Sequence, residues 1–253
     1  MRLKGGLLDG PFRLVARGVA FLGVTALIWA AYFAWRPPAP ILWLRHIEHL
    51  PPDNRAVSIT IDDAPHPLTT PLLLAALKRA DVKATFFVVG DGLRLYPELA
   101  RRIVQDGHGL GNHSQFHPSH PNLAGLPSST YDDEVMRCFT AIRAMGQETR
   151  LFRPPGGGLN RPLMQYLYDN DATLAWWSHN IGDWARQPAW KIAYLVNLNL
   201  RSGDILLLHD SGLGTPQAIP RIVYQARERG FEFVPMPESK ETDGSGQEAV
   251  GSQ

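Results

Sequence analysis

The sequence Ile59-Thr60-Ile61-Asp62-Asp63-Ala64-Pro65 joins a short β-branched run to two adjacent carboxylates and a proline. The run at residues 57–61 is typical of a buried strand, so the acids are expected where the strand's carboxyl end meets solvent or a cleft. Neighbouring side chains on an extended segment point in opposite directions, which lets one carboxylate face a metal while the other faces a reacting water or a basic partner. The alternative is that Asp62-Asp63 simply opens a turn.

Strand-like and helix-like patterns alternate from residue 56 onward. Predicted strands lie at residues 57–61, 84–89, 110–112, 151–153, 173–178, 204–208 and 231–234. Predicted helices lie at residues 71–80, with Thr70 as N-cap, and at 97–106, 132–145 (the longest), 161–170, 190–200 and 217–229. Seven strands alternating with helices predict an α/β fold with a parallel sheet, open or closed into a barrel.

Composition and charge exclude some classes of function. The 253 residues fit one large domain or two small ones, and one is expected for an alternating α/β pattern. The net charge of +1, with both signs spread along the chain, provides no basic stripe of the kind that nucleic-acid binding needs. Cys138 is the only cysteine, so the chain forms no internal disulfide and no thiolate metal cluster.

An uncharged apolar stretch of 18 residues, 18–35, is long enough to span a bilayer. Basic residues precede it, which predicts a cytoplasmic segment at residues 1–17 and a single-pass signal anchor with the rest of the chain outside the cytoplasm. A cleaved signal peptide, whose apolar core is usually shorter, and a buried soluble helix are the alternatives.

The remaining boundaries follow from composition. Residues 36–53 are interpreted as a linker that begins with a proline-rich spacer. Within it, His46 and His49 have no third ligand beside them and are expected on an exposed, membrane-proximal helical turn. The catalytic domain is expected at residues 54–237, and the Ser-, Gly- and Glu-rich residues 238–253 are expected to form a disordered tail.

Polar residues follow the predicted strands at one end. They are Asp62 and Asp63 after the first strand, His113 after the third, Arg153 at the end of the fourth, Asp183 after the fifth and His209 at the end of the sixth. In a parallel α/β barrel the carboxyl ends of the strands share one face, where active sites are built. The sequence therefore predicts one site that combines these residues.

His113-Ser114-Gln115-Phe116-His117 places two imidazoles four residues apart, so one helical turn would bring both to the same side. Two histidines and one carboxylate bind a divalent metal while leaving positions open for water and substrate. Asp63 is the natural third ligand, and His120 is a competing candidate with a less favourable spacing. The alternative places these histidines on a loop surface.

Five ordered motifs resemble those of the metal-dependent polysaccharide deacetylases. They are Thr60-Ile61-Asp62-Asp63-Ala64-Pro65, His113-Ser114-Gln115-Phe116-His117, Arg153-Pro154-Pro155-Gly156-Gly157, Asp183-Trp184 and Leu207-Leu208-His209. The resemblance covers residues 56–234. It implies a distorted (β/α) barrel, a divalent metal such as Zn²⁺ (or Co²⁺), and hydrolysis of acetyl groups on sugars.

The resemblance also implies roles for single residues. The implied metal ligands are Asp63, His113 and His117, and the general base is Asp62, held ionised and oriented by Arg153. The implied acid is His209, assisted by Asp183, while Gly156 supplies a backbone N–H to the oxyanion and Trp184 and Leu207 form the acetyl pocket.

Three positions depart from the family pattern. Ala64 stands where glycine is usual, Gly156 replaces a frequent aromatic residue and so removes one wall of the groove, and Asn180 replaces the first acid of motif four. We expect an envelope aminosugar polymer or oligomer, such as peptidoglycan or chitooligosaccharide, as substrate. The alternatives are hydrolysis of another C–N bond, as in a deformylase or ureide hydrolase, and a non-catalytic glycan binder.

Overall fold

The computed structural model describes residues 44–52 and 55–237. The predicted cytoplasmic segment 1–17, the predicted membrane span 18–35 and the predicted tail 238–253 lie outside these residues. Within the described part of the chain, no helix has both the length and the apolar character needed to cross a bilayer. The N-terminal span therefore stays a prediction from sequence.

Nine strands form one sheet in the described residues, and all of the pairings are parallel. They are β1 (His46–Ile47), β2 (Ala56–Ala64), β3 (Thr85–Val88), β4 (Gly109–Asn112), β5 (Leu151–Phe152), β6 (Thr173–Ala175), β7 (His179–Asn180), β8 (Ile205–His209) and β9 (Glu232–Phe233). Their order is β1-β6-β5-β4-β3-β2-β8-β7, with β9 also paired to β2. The predicted parallel α/β fold is confirmed, and β1 and β7 add to the seven expected strands.

The predicted strand 173–178 is in fact two strands with different neighbours. β6 pairs with β5 and β1, whereas β7 pairs with β8. The chain changes its partner strand between Trp176 and Ser178. The N–H of Trp176 donates to Ile47 O (2.7 Å), and the N–H of Ser178 donates to Ile205 O (3.2 Å). β1 and β7 do not pair with each other within the described residues, so the sheet is a curled, open half-barrel with a seam between them.

The expectation of a linker through residue 53 with a helical turn around His46 is wrong. Residues 46–47 form strand β1, and Leu50 N donates to Gly203 O across the seam (2.9 Å). Leu44, Ile47 and Leu50 are buried in the core, while the two histidines are exposed. The buried side chains recur at intervals of three residues around the two-residue strand, and the folded domain begins before residue 54.

Seven α-helices connect the strands in the described residues. They are α1 (Thr70–Ala80), α2 (Gly90–Leu95), α3 (Pro97–Gln105), α4 (Arg137–Ala144), α5 (Arg161–Asp169), α6 (Ala189–Asn199) and α7 (Gly214–Glu228). The N-cap of α1 is Thr69 rather than Thr70, and α2 was not expected. The predicted helix 132–145 is a π-helical turn, Asp132–Met136, that continues into α4. The longest helix is α7, which begins three residues earlier than predicted because a proline is tolerated in a first turn.

Strand β2 lies at the centre of the sheet and divides the interior into two sides. One set of its side chains packs against α1 and α7 in the main apolar core; these are Val57, Ile59 and Ile61, all fully buried. Ser58, Thr60 and Asp62 point to the other side, because successive side chains alternate along a strand. This polar row faces the inside of the curled sheet and leads to its carboxyl end.

Candidate active site

A pocket of about 360 Å³ opens at the carboxyl ends of the strands. The predicted residues that line it are Asp62, Asp63, His113, His117, Gly156, Trp184, Leu207 and His209. Arg153 and Asp183 are buried directly behind the pocket, where each contacts one of the lining residues. The expectation that residues from five strand ends meet at one site agrees with this placement.

The two adjacent carboxylates lie at an irregularity in β2, where the pairing register with β3 shifts between Ile61 and Ala64. Asp63 adopts the left-handed region (φ 69°), which turns its carboxylate into the pocket beside that of Asp62. The departure from the family pattern at Ala64 is accommodated, because the left-handed backbone conformation falls on Asp63 and not on Ala64. Asp and Asn tolerate this conformation better than most residues.

The predicted helical turn through His113 and His117 is absent. Instead, His113 follows β4 directly, and the chain then forms a loop in which Ser114 (φ 65°) and His117 (φ 53°) are left-handed. Asn112 holds the loop at both sides: its Oδ1 accepts from Ser114 N (2.8 Å), and its Nδ2 donates to Val135 O (2.8 Å). The two imidazole rings nevertheless approach to 5.1 Å between centroids.

Asp63, His113 and His117 offer three ligand atoms that all lie within 4.8 Å of one another. Asp63 Oδ1 is 3.5 Å from His113 Nε2 and 3.2 Å from His117 Nε2. His120, the competing candidate, and the pair His46 and His49 do not belong to this group in the described residues.

These three residues fit a divalent metal on chemical grounds. His113 Nδ1 lies 2.8 Å from Arg153 O, a geometry in which Nδ1 donates its proton and Nε2 keeps a lone pair directed at Asp63. Asp63 Oδ1 is buried and accepts no hydrogen bond. Burial raises the pKa of Asp63, whereas the positive charge that His113 and His117 carry when protonated holds this pKa well below its usual range, so a cation beside the carboxylate is favoured. Asp63 Oδ1 and the imidazole Nε2 atoms are acceptors that face one another, and a cation bound between them removes their repulsion.

Arg153 orients Asp62 from below the pocket. Its Nη1 donates to Asp62 Oδ1 (2.7 Å) and to Thr60 Oγ1 (2.8 Å), and its Nε and Nη2 donate to the carbonyl oxygens of residues 175 and 176. The guanidinium carbon lies 3.9 Å from the ring centroid of Phe87. Burial lowers the pKa of Arg153 below its ordinary value, and the neighbouring Asp62 carboxylate offsets part of that effect. Arg153 is fully buried behind the pocket. One oxygen of Asp62 is thus fixed, and the other faces the pocket.

His209 at the end of β8 is held by Asp183. Its Nδ1 lies 2.8 Å from Asp183 Oδ1, and its backbone N–H donates to Asp183 Oδ2 (2.9 Å), which also accepts from Thr215 Oγ1 (2.7 Å). Burial opposes protonation, but the contact with Asp183, and the more distant Asp62, raise the pKa of His209 above its ordinary value. The imidazolium is therefore favoured, as a proton donor requires.

The residues that form the pocket walls differ in how exposed they are, and one wall is missing. Leu207 is buried and Trp184 is exposed at the rim. Gly156 has φ 61°, and a Cβ placed there would meet nothing within 4 Å, so the expected loss of a groove wall is visible as open space. Asn180 also lines the pocket.

The pocket residue Trp177 and the buried Asp210, whose backbone N–H donates to Asp62 O behind the pocket, were not predicted from the sequence. Trp177 lines the pocket and stacks on Trp176, with centroids 4.6 Å apart and planes inclined by 9°. Asp210 is buried, and its Oδ2 accepts from Thr70 Oγ1 and from His66 N (3.2 Å). The tryptophan pair was hidden because residues 173–178 were interpreted as one continuous strand, and Asp210 gave no signal beyond its place next to His209.

A curled parallel α/β sheet that carries a trio suited to a divalent metal, a carboxylate–arginine pair and a histidine–carboxylate pair is typical of one class, the metal-dependent hydrolases. A family model described as polysaccharide deacetylase matches residues 49–175. The chain is 30% identical over 194 residues to a peptidoglycan-N-acetylglucosamine deacetylase of Bacillus cereus, covering 75% of this chain and 90% of that protein. It is 32% identical over 201 residues to a chitooligosaccharide deacetylase of Bradyrhizobium sp., covering 73% and 90% of the two chains. The chain belongs to the polysaccharide deacetylase family and is a hydrolytic deacetylase.

Solved structures share the fold. The Bc1960 peptidoglycan N-acetylglucosamine deacetylase matches with a TM-score of 0.74 at 27% identity, covering 81% of this chain and 97% of that one. BA3943 from Bacillus anthracis, a CE4 family pseudoenzyme, matches with a TM-score of 0.70 at 28% identity, covering 76% and 67%. Since a pseudoenzyme has the same fold, catalysis depends on which side chains occupy the site and not on the fold alone.

Proposed function

We propose that this protein hydrolyses acetyl groups, principally N-acetyl groups, on an aminosugar polymer or oligomer such as peptidoglycan or chitooligosaccharide. The observation that carries the proposal is the electron-rich trio of Asp63, His113 and His117 in one pocket with Asp62 and His209. A cation site, a base and an acid in one cleft are what hydrolysis of an unreactive amide needs.

The trio suits Zn²⁺, because two imidazoles and one carboxylate are the ligands of many catalytic zinc sites and leave room for water and substrate. Co²⁺ and other divalent ions are alternatives of similar ligand preference. When bound, such an ion supplies Lewis acidity that polarises a carbonyl group and lowers the pKa of water. The remaining steps fall to the side chains.

Asp62 accepts the proton of the attacking water through the oxygen that Arg153 leaves free. Its other oxygen is fixed by the guanidinium, so the carboxylate is held in one orientation before substrate arrives. The negative charge that develops on the carbonyl oxygen is stabilised in part by the backbone N–H of Gly156. Leu207 and Trp184 enclose the acetyl methyl group.

His209 then donates a proton to the departing sugar amine, so that the C–N bond breaks without forming an amide anion. Asp183 keeps the imidazole ring oriented and favours its charged form. The replacement of an acid by Asn180 leaves this pair intact, because Asp183 makes the contact.

Acetate release from peptidoglycan, chitin oligomers and acetylated xylan, each with and without a chelator, tests the proposal. We expect release from at least one aminosugar substrate, its loss on chelation and its return with added Zn²⁺. Formate or ammonia release from a formylated sugar or a ureide, without acetate release, would favour the other C–N hydrolases. Glycan binding with no turnover by the metal-loaded protein would show a non-catalytic binder.

We also propose that residues 18–35 anchor the protein in the cell membrane with the catalytic domain outside the cytoplasm. The support is the uncharged 18-residue stretch and the basic residues that precede it. A reporter fused after Gln253 should be active only outside the cytoplasm. A cytoplasmic signal would contradict the orientation.

A further inference from the structure

The segment from Asp62 to His66 is held at both ends by one residue, Asp210. At the start of the segment, the backbone N–H of Asp210 donates to Asp62 O (2.9 Å). At its end, the His66 N–H is shared between Thr70 Oγ1 (2.7 Å) and Asp210 Oδ2 (3.2 Å). The Thr70 hydroxyl in turn donates to Asp210 Oδ2. Asp63, one of the three candidate metal ligands, lies inside the segment that these contacts close.

Asp210 is also the direct neighbour of His209, the proposed acid. The pairing of β2 with β8 places His209 opposite Asp62, and the Asp210 N–H extends that pairing by one residue. Asp210 O accepts from Thr69 Oγ1 (3.2 Å), which ties the residue to the N-cap of α1. The chain around Asp210 therefore joins the proposed acid to the segment that carries the proposed base.

These contacts are enclosed by the protein. Asp210 is 1% exposed and Thr70 is fully buried, so water does not readily replace the hydrogen bonds between them. Asp210 Oδ1 is buried and has no hydrogen-bond partner, which costs free energy. The polar contacts of Asp210 are thus made by Oδ2 and by its backbone, and both lead to the segment that begins at Asp62 and to the helix that follows it.

We propose that Asp210 is a positioning residue, which fixes Asp62 and Asp63 relative to His209. This inference rests on the function proposed above. The backbone of Asp63 is left-handed (φ 69°), so the direction of its carboxylate depends on how the segment is held on both sides. In the part of the chain that the structure describes, Asp210 is not among the residues that line the pocket. It acts through the residues that it holds.

Substitution of Asp210 tests the proposal in the full-length chain. Asp210→Ala leaves the Thr70 hydroxyl without its acceptor and the His66 N–H with one partner instead of two. We expect the affinity for Zn²⁺ and the value of kcat at saturating Zn²⁺ each to fall about 10–100-fold, as loss of groups that support ligands commonly causes. Asp210→Asn keeps an oxygen that accepts from Thr70 and His66, and it should restore most of both quantities. Competition with a chromophoric chelator measures the affinity, and acetate release from a soluble chitin oligomer measures kcat.

Asp204, at the other end of β8, offers a matched control. It is 6% exposed, and its carboxylate likewise accepts from a hydroxyl and a backbone N–H, those of Ser178 (3.0 Å) and Arg201 (2.8 Å). Asp204→Ala should lower the melting temperature, because it leaves buried donors without an acceptor. Its Zn²⁺ affinity and kcat should equal those of the unsubstituted protein, since Asp204 precedes the strand and the pocket lies after it.

Two outcomes would overturn the positioning role. If Asp210→Ala changes only the melting temperature, as Asp204→Ala should, Asp210 serves stability alone. If Asp210→Asn loses as much affinity and rate as Asp210→Ala, the contacts of Oδ2 do not position the segment. Thr70→Val keeps the shape of the side chain and removes its hydroxyl, so it should cause a loss of the same kind. This variant decides the matter where Asp210→Ala does not fold.

The two readouts separate this inference from the proposed function. Unsubstituted protein that binds Zn²⁺ but releases no acetate from any aminosugar substrate would contradict the function. The Zn²⁺ affinities of the Asp210 variants would still show whether Asp210 positions Asp63. Acetate release by the unsubstituted protein together with unchanged affinity and kcat in Asp210→Ala would contradict the positioning role alone.

Discussion

Asp62 and Asp63 are neighbours in sequence, yet their surroundings are opposite in character. Asp62 accepts a hydrogen bond from a buried guanidinium, whereas Asp63 faces two imidazoles and has an oxygen with no hydrogen-bond donor. The register shift in β2 and the left-handed backbone of Asp63 bring both carboxylates into the pocket, each with its own neighbours. One carboxylate is thereby prepared to accept a proton and the other to bind a cation.

Single substitutions should separate these two roles. Asp63→Ala removes one of three ligands, so metal content and turnover should fall together, and excess metal should restore part of the rate. Asp62→Asn should keep its metal and lose about 10²–10⁴-fold in rate, because it no longer accepts the proton. Metal analysis beside rate measurements decides the assignment, which is reversed if Asp62→Asn is the metal-poor protein.

His209→Ala should lower turnover by about 10²–10⁴-fold while the metal content stays near one per chain, because a general acid is lost and no ligand is removed. Metal analysis and acetate release on the same preparation provide the measurement. Loss of the metal would make His209 a ligand, and a change below about tenfold would remove it as the acid.

The pH dependence of turnover should report the contact between Asp183 and His209. The pKa of His209 is raised, so its acid form is complete below that pKa and is lost as pH rises through it. Asp183→Asn removes the negative charge that helps to raise the pKa of His209, so the alkaline limb of kcat should move to lower pH in the metal-loaded enzyme. Thr215→Ser, which keeps the hydroxyl that binds Asp183, is the control. An unmoved alkaline limb in Asp183→Asn would assign that limb to another group.

At the scale of elements, the proposed metal site depends on a loop and not on a helix. The loop after β4 brings His113 and His117 together through two left-handed residues, and Asn112 ties its start to the chain that precedes α4. The backbone of Arg153 fixes the tautomer of His113 from another strand end. Ligand geometry is therefore set by neighbouring segments.

Asn112→Ala should weaken metal binding by about 10–100-fold, as loss of groups that support ligands commonly does, while the domain stays folded. Competition with a chromophoric chelator measures the affinity. Asn160→Ala is a matched control, since Asn160 also bridges two backbone groups but at the start of α5. It should cost about 0.5–2 kcal/mol of stability as a lost N-cap and leave metal affinity unchanged. Equal metal affinity in the two variants would show that Asn112 does not position the loop.

At the scale of the whole molecule, the seam decides where the domain begins. Ile47 and Leu50 pack with Ala175 and Ile205 beside the seam, and Leu44 belongs to a second buried cluster that includes Leu163 and Leu174. Strand β1 is only two residues long, yet its flanking side chains complete the core.

A chain that begins at residue 37 should fold and retain activity on small substrates, whereas a chain that begins at residue 54 should not. The shorter chain loses three buried side chains worth about 1.5–3 kcal/mol each, which is comparable to the 5–15 kcal/mol stability of a typical domain. Thermal unfolding followed by circular dichroism compares the two. Equal melting temperatures would contradict the role given to the seam, and loss of fold in the longer chain would show that residues before 37 belong to the domain.

The sequence by itself determined the α/β class, the parallel sheet and the set of residues at its carboxyl end. Hydrophobic period and turn chemistry are local properties, so strands such as 57–61 and helices such as 97–106 could be predicted to within a few residues. Because all strands of a parallel sheet point the same way, the position of Asp62, His113 and His209 after strands was enough to predict one shared site.

Tertiary structure alone decided how those residues face one another. Three features depend on where the sheet curls. They are the division of residues 173–178 into two strands with different partner strands, the strand at His46–Ile47, and the pocket wall formed by Trp177. These features are set by hydrogen bonds between residues far apart in the chain, and such pairings leave no periodic signal in the local sequence.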